Sequence, residues 1–505
     1  MRRGDLICFG FLVGVSATAV SSAAAQVAPG SGTGYGNDVW QTGAPAVPAL
    51  YSARQTPNNT PSAPSGPAGS QSAQSGWPSW YPQAPGTPWA GGTLFTGITA
   101  GTFFDDNVFA ANSNKQSDWA FFARPEAQWV RQGQNYTFAA DGWLEGRSYA
   151  RFSSENQVNG GAGAHFTIMP DNDTQIVAGA RYLHEHLDRG SSETVVVIPG
   201  VGSELLSTQF AHPVAYDEGL QSVALNKRNG NWWSSIGGAG LEIQYQNPAI
   251  GGAGAALAGT PIDLGYADGG IGIVNARLGY VVAPRTSVFV EAAGNTRDWD
   301  VSYFNSTGYR LVAGMLFEQG PGARLKGEVW GGYMNQSYNG TTMAGVSSWT
   351  YGLGLAALLT DNVTAVFEGR REAKEAALGL AVLPDGALGA DAPTCTADVA
   401  VCVSDVESEI GGRVDVHIAP NVVVGAGGSY LEDDYQGPLA FDRIDRSYGP
   451  LASIKYFATP NVTLGFDYRN LQFSSKGGVA PAGFTAVTAL PYMKNVYLFS
   501  VNARW

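Results

Sequence analysis

The residues best suited to acid–base or metal chemistry are five histidines: His165, His184, His186, His212 and His417. In the run His184-Glu185-His186 two imidazoles stand two residues apart in an alternating segment. That is not the helical HExxH spacing that holds a zinc ion. No serine stands with a histidine in a pattern that marks a nucleophile. These read as ordinary wall or loop histidines. No catalytic residue, metal site or cofactor is expected, and the chain reads as a non-enzyme. Acidic groups gather in FDDNVF (104–109) and LEDDY (431–435). Carboxylates so placed can hold Ca²⁺, but a plain turn at a strand end explains them more simply.

The informative charges lie deep inside alternating segments. Arg147, Arg181, Arg277 and Arg310 sit near mid-segment, and Arg370, Arg413 and Arg469 follow further along. Asp141, Glu145, Glu242 and Glu291 fall on the same polar faces, as do Glu328, Glu368, Asp415 and Asp467. Trp143 and Trp330 share that parity. Facing lipid, an arginine at the bilayer midplane would cost about 2–4 kcal/mol. Facing a wet lumen, it can pair with a carboxylate or stay hydrated. Two roles are open: the ions pair across strands and fill a polar wall, or an unpaired remainder sets a field for solutes, as charge rings do in wide pores.

The elements that would position these charges are strands. In VTLGFDYR, Val462, Leu464, Phe466 and Tyr468 oppose Thr463, Asp467 and Arg469. The same period of two recurs in SDWAFFARPEAQWV, YTFAADGWLEGR and VESEIGGRVDVHI. A soluble sandwich also alternates, but its apolar face must build a core of large aliphatics. Here large aliphatics are sparse, glycine and alanine are frequent on the apolar stripe, and aromatics cluster at segment ends. That pattern fits a membrane barrel with its apolar face to lipid, a polar face to a lumen, and aromatic girdles at the interfaces. No fixed repeat supports a solenoid.

The connections alternate short and long. Turns such as PDND (170–173), APRTS (283–287), TDN (360–362) and TPN (459–461) suit tight hairpins. Between them run long polar or Gly-rich loops, including 187–217, 246–269, 373–405 and 474–493. The expected architecture is an all-β, antiparallel transmembrane barrel over residues 92–505, with about 18 strands (16–18). An even count leaves both termini on the short-turn side, which is periplasmic in such barrels.

Residues 1–25 read as a signal peptide: Arg2 and Arg3, an apolar run from Leu6 to Val20, then Ala23-Ala24-Ala25. Residues 26–91 are rich in Pro, Gly and Ser and read as a disordered periplasmic tail. Its Trp and Pro residues suit docking to a periplasmic export or envelope partner. Glycine makes up 67 of 505 residues, about twice the usual ~7%. A net charge of -13 with no basic stripe argues against a nucleic-acid partner. In the exported chain Cys395 and Cys402 are close enough in sequence to form a local disulfide. The final segment, NVYLFSVNARW, alternates to its last residue, with Tyr497, Phe499, Val501 and Trp505 on one face. It reads as the closing strand and as the signal for barrel-assembly machinery; the outer-membrane bilayer is the other expected partner.

Several stretches carry a family likeness. The opening strand GTLFTGITAGTFFDDNVFA, then SDWAFFARPEAQW, the loop HPVAYDE (212–218) and the aromatic last strand resemble the outer-membrane β-barrel porin family of Gram-negative proteobacteria. The likeness covers about residues 92–505 and implies a bacterial outer-membrane location. Some members of that family look like barrels for exopolysaccharide secretion. The family brings no catalytic residues. The leading expectation is a porin-like channel for hydrophilic solutes. The alternatives are a polysaccharide export channel, with Trp143 and Trp330 stacking on sugars, and a non-conducting barrel that displays its loops. A lipid-cleaving barrel stands behind all three.

Overall fold

The computed structural model describes residues 86–187, 189, 210–249, 268–300, 302–317, 324–339, 343–378, 401–436, 443–476 and 491–505. Residues 1–85, on which the expected signal peptide and most of the expected tail fall, lie outside them, as does Cys395 of the expected disulfide.

Successive antiparallel strands form one closed 18-strand barrel. They are β1 (Gly92–Asp105), β2 (Asp118–Gln132), β3 (Tyr136–Tyr149), β4 (Gln157–Ile168), β5 (Thr174–His186) and β6 (Ala215–Asn229). Then come β7 (Trp232–Tyr245), β8 (Gly269–Ala283), β9 (Thr286–Trp299), β10 (Ser306–Phe317), β11 (Leu325–Tyr338) and β12 (Val346–Thr360). The last are β13 (Val363–Leu378), β14 (Val401–Ala419), β15 (Val422–Gln436), β16 (Ile444–Tyr448 and Leu451–Thr459), β17 (Val462–Lys476) and β18 (Tyr492–Arg504). The two pieces of β16 are one strand. Its ladder is interrupted at Pro450, which has no N–H to give, yet Asn470 N–H still donates to Pro450 O at 3.0 Å.

Closure is made by β1 and β18. Their register runs from Gly97 opposite Arg504 to Asp105 opposite Val496. Trp505 and Thr96 exchange two backbone hydrogen bonds, each 3.0 Å. At the long-loop end of this seam Lys494 Nζ pairs with Asp105 at 2.7 Å, and Asp106 accepts the Asn495 N–H and Nδ2–H at 2.6 Å. The FDDNVF carboxylates therefore stitch the barrel shut. At this seam neither strand is left with an open edge along the paired residues.

The outward face is apolar, as Phe121, Leu144, Val274 and Leu311 show, all well exposed. Aromatics gather outward at both rims. Trp119, Tyr182, Tyr333 and Trp349 stand towards the long loops; Trp232, Tyr280, Tyr456 and Trp505 stand towards the short turns. The short turns are locally braced. Asp171 accepts the Asp173 N–H at 2.8 Å and the Thr174 hydroxyl at 2.9 Å, which holds its carboxyl below the usual range.

Three features depart from the expected layout. First, the segment read as a tail ends in structure: Thr87–Trp89 pairs back on Leu94–Gly92. Its turn residues Ala90 and Gly91 both have positive φ, the geometry of the tightest hairpins. Trp129 Nε1–H donates to Trp89 O at 2.9 Å and pins the hairpin to the rim. Second, the loop expected at 373–405 is strand at both ends, because β13 continues to Leu378 and β14 starts at Val401, paired throughout. REAKEAAL has no strand propensity of its own; its partner strand imposes the conformation.

Third, β12 and β13 part company above Tyr351 and Arg371, where their pairing stops. Beyond that point β13 slides inside the wall. Ala373 and Val406, outward by parity, pack against the inward Met334 and Val346. The freed edge of β13 is satisfied by side chains. Thr350 Oγ1 donates to Arg371 O, Arg297 Nη2 to Ala373 O at 2.9 Å, and Tyr338 Oη to Lys374 O at 3.1 Å. Buried backbone acceptors need such partners, so the overlap is a built feature of the long-loop side.

Candidate functional site: the inner wall of the barrel

Register and exposure fix the inward residues on every strand. The wall of β8 to β11 carries a set of four linked ions. Arg277 donates to Glu291 and, through Nη1, to Glu328 at 2.8 Å; Arg310 Nη2 donates to Glu291 at 2.6 Å. The Glu291 side chain is 0% exposed and carries two arginines at once. Both guanidiniums also lie on rings, Arg310 at 4.4 Å from the Trp330 centre and Arg277 at 4.8 Å from that of Phe289.

A second set lies on β2 and β3. Arg147 Nε donates to Glu145, Arg124 Nη1 is 3.9 Å from the same carboxylate, and the Arg124 guanidinium covers Trp143 at 4.0 Å. A third occupies the tucked region of β13 and β14. Arg370 faces Glu409 at 2.6 Å and both Glu407 and Glu372 at 3.3 Å, while Lys374 pairs with Glu407. On β14 Arg413 Nε donates to Asp415 at 2.8 Å and also reaches Ser453 of β16.

The glycine-rich composition finds its explanation here. A Cβ on Gly161 would lie 2.8 Å from Trp143, one on Gly279 2.2 Å from Trp233, and one on Gly352 2.1 Å from Trp330. In each case the tryptophan is the register partner of that glycine. The rings therefore lie flat along the wall over the missing side chains and do not project across the lumen. Charges use the same device: Asp141 and Arg181 stand on either side of Gly163, and Glu126 and Arg504 on either side of Gly97. The expectation that glycine is frequent on the outward stripe is thereby extended to the inner face. Glycine falls on both faces, and inward it makes room for long neighbours.

All but one of the expected wall residues have inward parity: Asp141, Trp143, Glu145 and Arg147 on β3, Arg181 on β5, Arg277 on β8, Arg310 on β10, and Glu328 with Trp330 on β11. Glu291 on β9, Glu368 with Arg370 on β13, Arg413 with Asp415 on β14 and Asp467 with Arg469 on β17 complete them. The structure joins the β8–β11 group in one network; Arg181, Glu368 and Arg469 belong to other parts of the wall. Glu242 is the exception and a correction. It is exposed on the outward face, because Leu241 and Ile243 of β7 turn inward beside Ile271 and Ile273 of β8. Near the long-loop rim that strand reverses the usual polarity. LEDDY likewise splits: Glu432 faces outward and pairs with Arg446 at 2.8 Å, while Asp433 is buried inward. Tyr497, Phe499, Val501 and Trp505 all point outward on the last strand, with Phe499 4.8 Å from Phe466.

Arg124 and Glu407 stand on the polar faces of SDWAFFARPEAQWV and VESEIGGRVDVHI but outside the charges singled out for the wall; sequence reasoning missed Arg297, Glu372 and Lys374. Glu372 and Lys374 flank the start of a segment read as a loop, where the search for wall charges stops. The signal is nonetheless present in REAKE, which keeps the parity of Arg370 for two more steps.

Solved structures of similar shape include OpdO from Pseudomonas aeruginosa, 13% identical, with 82% of this chain and 97% of that one covered and a TM-score of 0.39. The anion-selective porin from Comamonas acidovorans is 9% identical, with 82% and 99% covered and a TM-score of 0.33. A ferric enterobactin receptor of Pseudomonas aeruginosa, PfeA, is 10% identical, with 83% and 82% covered and a TM-score of 0.39. No curated protein matches the chain. A family model, "Putative beta-barrel porin 2", matches residues 83–379, more than half of the sequence, and the chain belongs to that family as an outer-membrane porin-like barrel.

Proposed function

We propose that the barrel is a channel through which small hydrophilic solutes cross the outer membrane, with its termini and short turns periplasmic and its long loops outside. The observation that carries this reading is the inner wall, where charges are paired laterally and the large rings lie flat over glycines. Such a wall is polar and leaves the bore to water and solute. The export reading needs aromatic faces free to stack on sugars. Trp143 lies close over Gly161 with the Arg124 guanidinium 4.0 Å from its ring centre, and Trp330 is held between Gly352 and Arg310 in the same fashion. That arrangement favours a diffusion channel over a sugar-stacking exporter.

The test is single-channel recording in planar bilayers, with the exported chain and with a form that lacks residues 26–85. Steady steps that scale with salt concentration are the expected result for both. Silence from both forms defeats the proposal. Conductance only after the N-terminal segment is removed points instead to a gated exporter.

A further inference from the structure

Arg371 follows Arg370 in the chain and points the other way. On the outer face of β12 to β16, register aligns Tyr351, Arg371, Ser408, Glu432 and Arg446 in one row. The Arg371 guanidinium lies 4.7 Å from the Trp349 ring centre and gives one hydrogen bond to Ser408 Oγ. Among the described residues it forms no ion pair. Arg446 has Glu432, which also accepts the Tyr430 hydroxyl at 2.6 Å. The row thus holds two guanidiniums against one carboxylate. Trp349 beside it is 58% exposed and Tyr448 is 43% exposed.

An outward arginine costs about 2–4 kcal/mol at the midplane and about 0–1 kcal/mol near the interface. The row sits in the aromatic belt on the long-loop side, so it lies at headgroup depth. An arginine there with most of its donors unused matches a phosphate, which takes paired N–H bonds from a guanidinium. Exposed aromatics on either side offer stacking and apolar contact to the sugar and upper acyl carbons of a lipid.

We propose that the Arg371 row binds a phosphate of lipid A, the phosphorylated glycolipid of the outer leaflet. The choice of leaflet rests on the orientation in the channel proposal; the phosphate chemistry does not. Arg371 is the main anchor and Arg446 a secondary one.

The test is native mass spectrometry of the full barrel in detergent, with bisphosphorylated lipid A added. Only protein that shifts its gel mobility on heating, and is therefore folded, is compared. Arg371→Leu should retain about tenfold less lipid A, the factor expected for one lost charge-assisted contact. Arg371→Lys should keep part of the binding, and Arg371→Gln replaces the leucine variant should that one not fold. Equal retention by wild type and Arg371→Gln overturns the proposal. So does equal binding of dephosphorylated lipid A, or a preference for phosphatidylglycerol, which would assign the row to another lipid. The readout needs no current, so a barrel that binds lipid A yet never conducts defeats only the channel reading.

Discussion

Arg370 and Arg371 differ by one step along β13 and live in different surroundings. Arg370 faces the lumen and meets three carboxylates within 3.3 Å. Arg371 faces outward and meets an indole and a hydroxyl; among the described residues it forms no ion pair, its row's carboxylate, Glu432, being paired with Arg446. A strand turns successive side chains to opposite faces, so two adjacent arginines cannot share one environment. The inner wall neutralises charge with charge, because its side chains are packed against each other and nearly dry. The outer face offers Arg371 one ring, one hydroxyl and a carboxylate already held by Arg446, hence the lipid phosphate proposed for it. Residue type is the same in both places; the face alone decides the job.

The strongest way to break this contrast is at Glu291. Glu291→Gln would leave Arg310 without this carboxylate and Arg277 with Glu328 only. Removing one partner of a buried ion set costs about 3–5 kcal/mol. Urea titration of the refolded barrel should show a loss of that size. A loss under about 1 kcal/mol, the range of exposed pairs, would mean that the inner wall is as wet as a surface and that the two faces handle charge alike.

A smaller effect is expected at Gly352. An added Cβ would meet Trp330 at 2.1 Å, and overpacking of this kind costs about 1–3 kcal/mol. The ring would also be pushed off the wall. Gly352→Ala should therefore lower both the urea midpoint and the single-channel conductance, whereas an alanine at the outward Gly146, which has open space, should change neither. Equal behaviour of the two variants would mean that the inward glycines do not serve to seat the rings.

Much of this architecture was legible in the sequence. The alternation in segments such as VTLGFDYR is a direct record of two solvents, and it placed Arg147, Arg277, Arg370 and Arg469 on the lumen side. Three things were not legible, each for a physical reason. AKEAAL falls in the stretch read as loop from residue 373 because its strand form is imposed by β14. The overlap of β13 inside β12 depends on contacts such as Arg297 with Ala373 O, which join strands far apart in the chain. Glu242 misled because a strand can reverse polarity where its apolar side chains find partners inside. Arg371 was readable in principle. Two arginines in succession within a strand oblige one of them to face lipid, and the parity that puts Arg370 in the lumen puts Arg371 outside it.

The finest test sets the two neighbours against each other. Arg371→Leu removes a ring contact and one hydrogen bond but adds apolar surface to an apolar face. In phosphate-free detergent its stability in urea should move by no more than about 1 kcal/mol in either direction, the cost range for a charge near the interface. Added lipid A should then stabilise the wild type and leave the leucine variant where it was, since a ligand stabilises only the state that binds it. Arg370→Leu in the same detergent should cost several times more, because Glu372, Glu407 and Glu409 would crowd together without their shared cation. Two adjacent substitutions with equal costs would show that β13 does not present these arginines to opposite faces, and the lumen assignment of Arg370 would fall with the lipid assignment of Arg371.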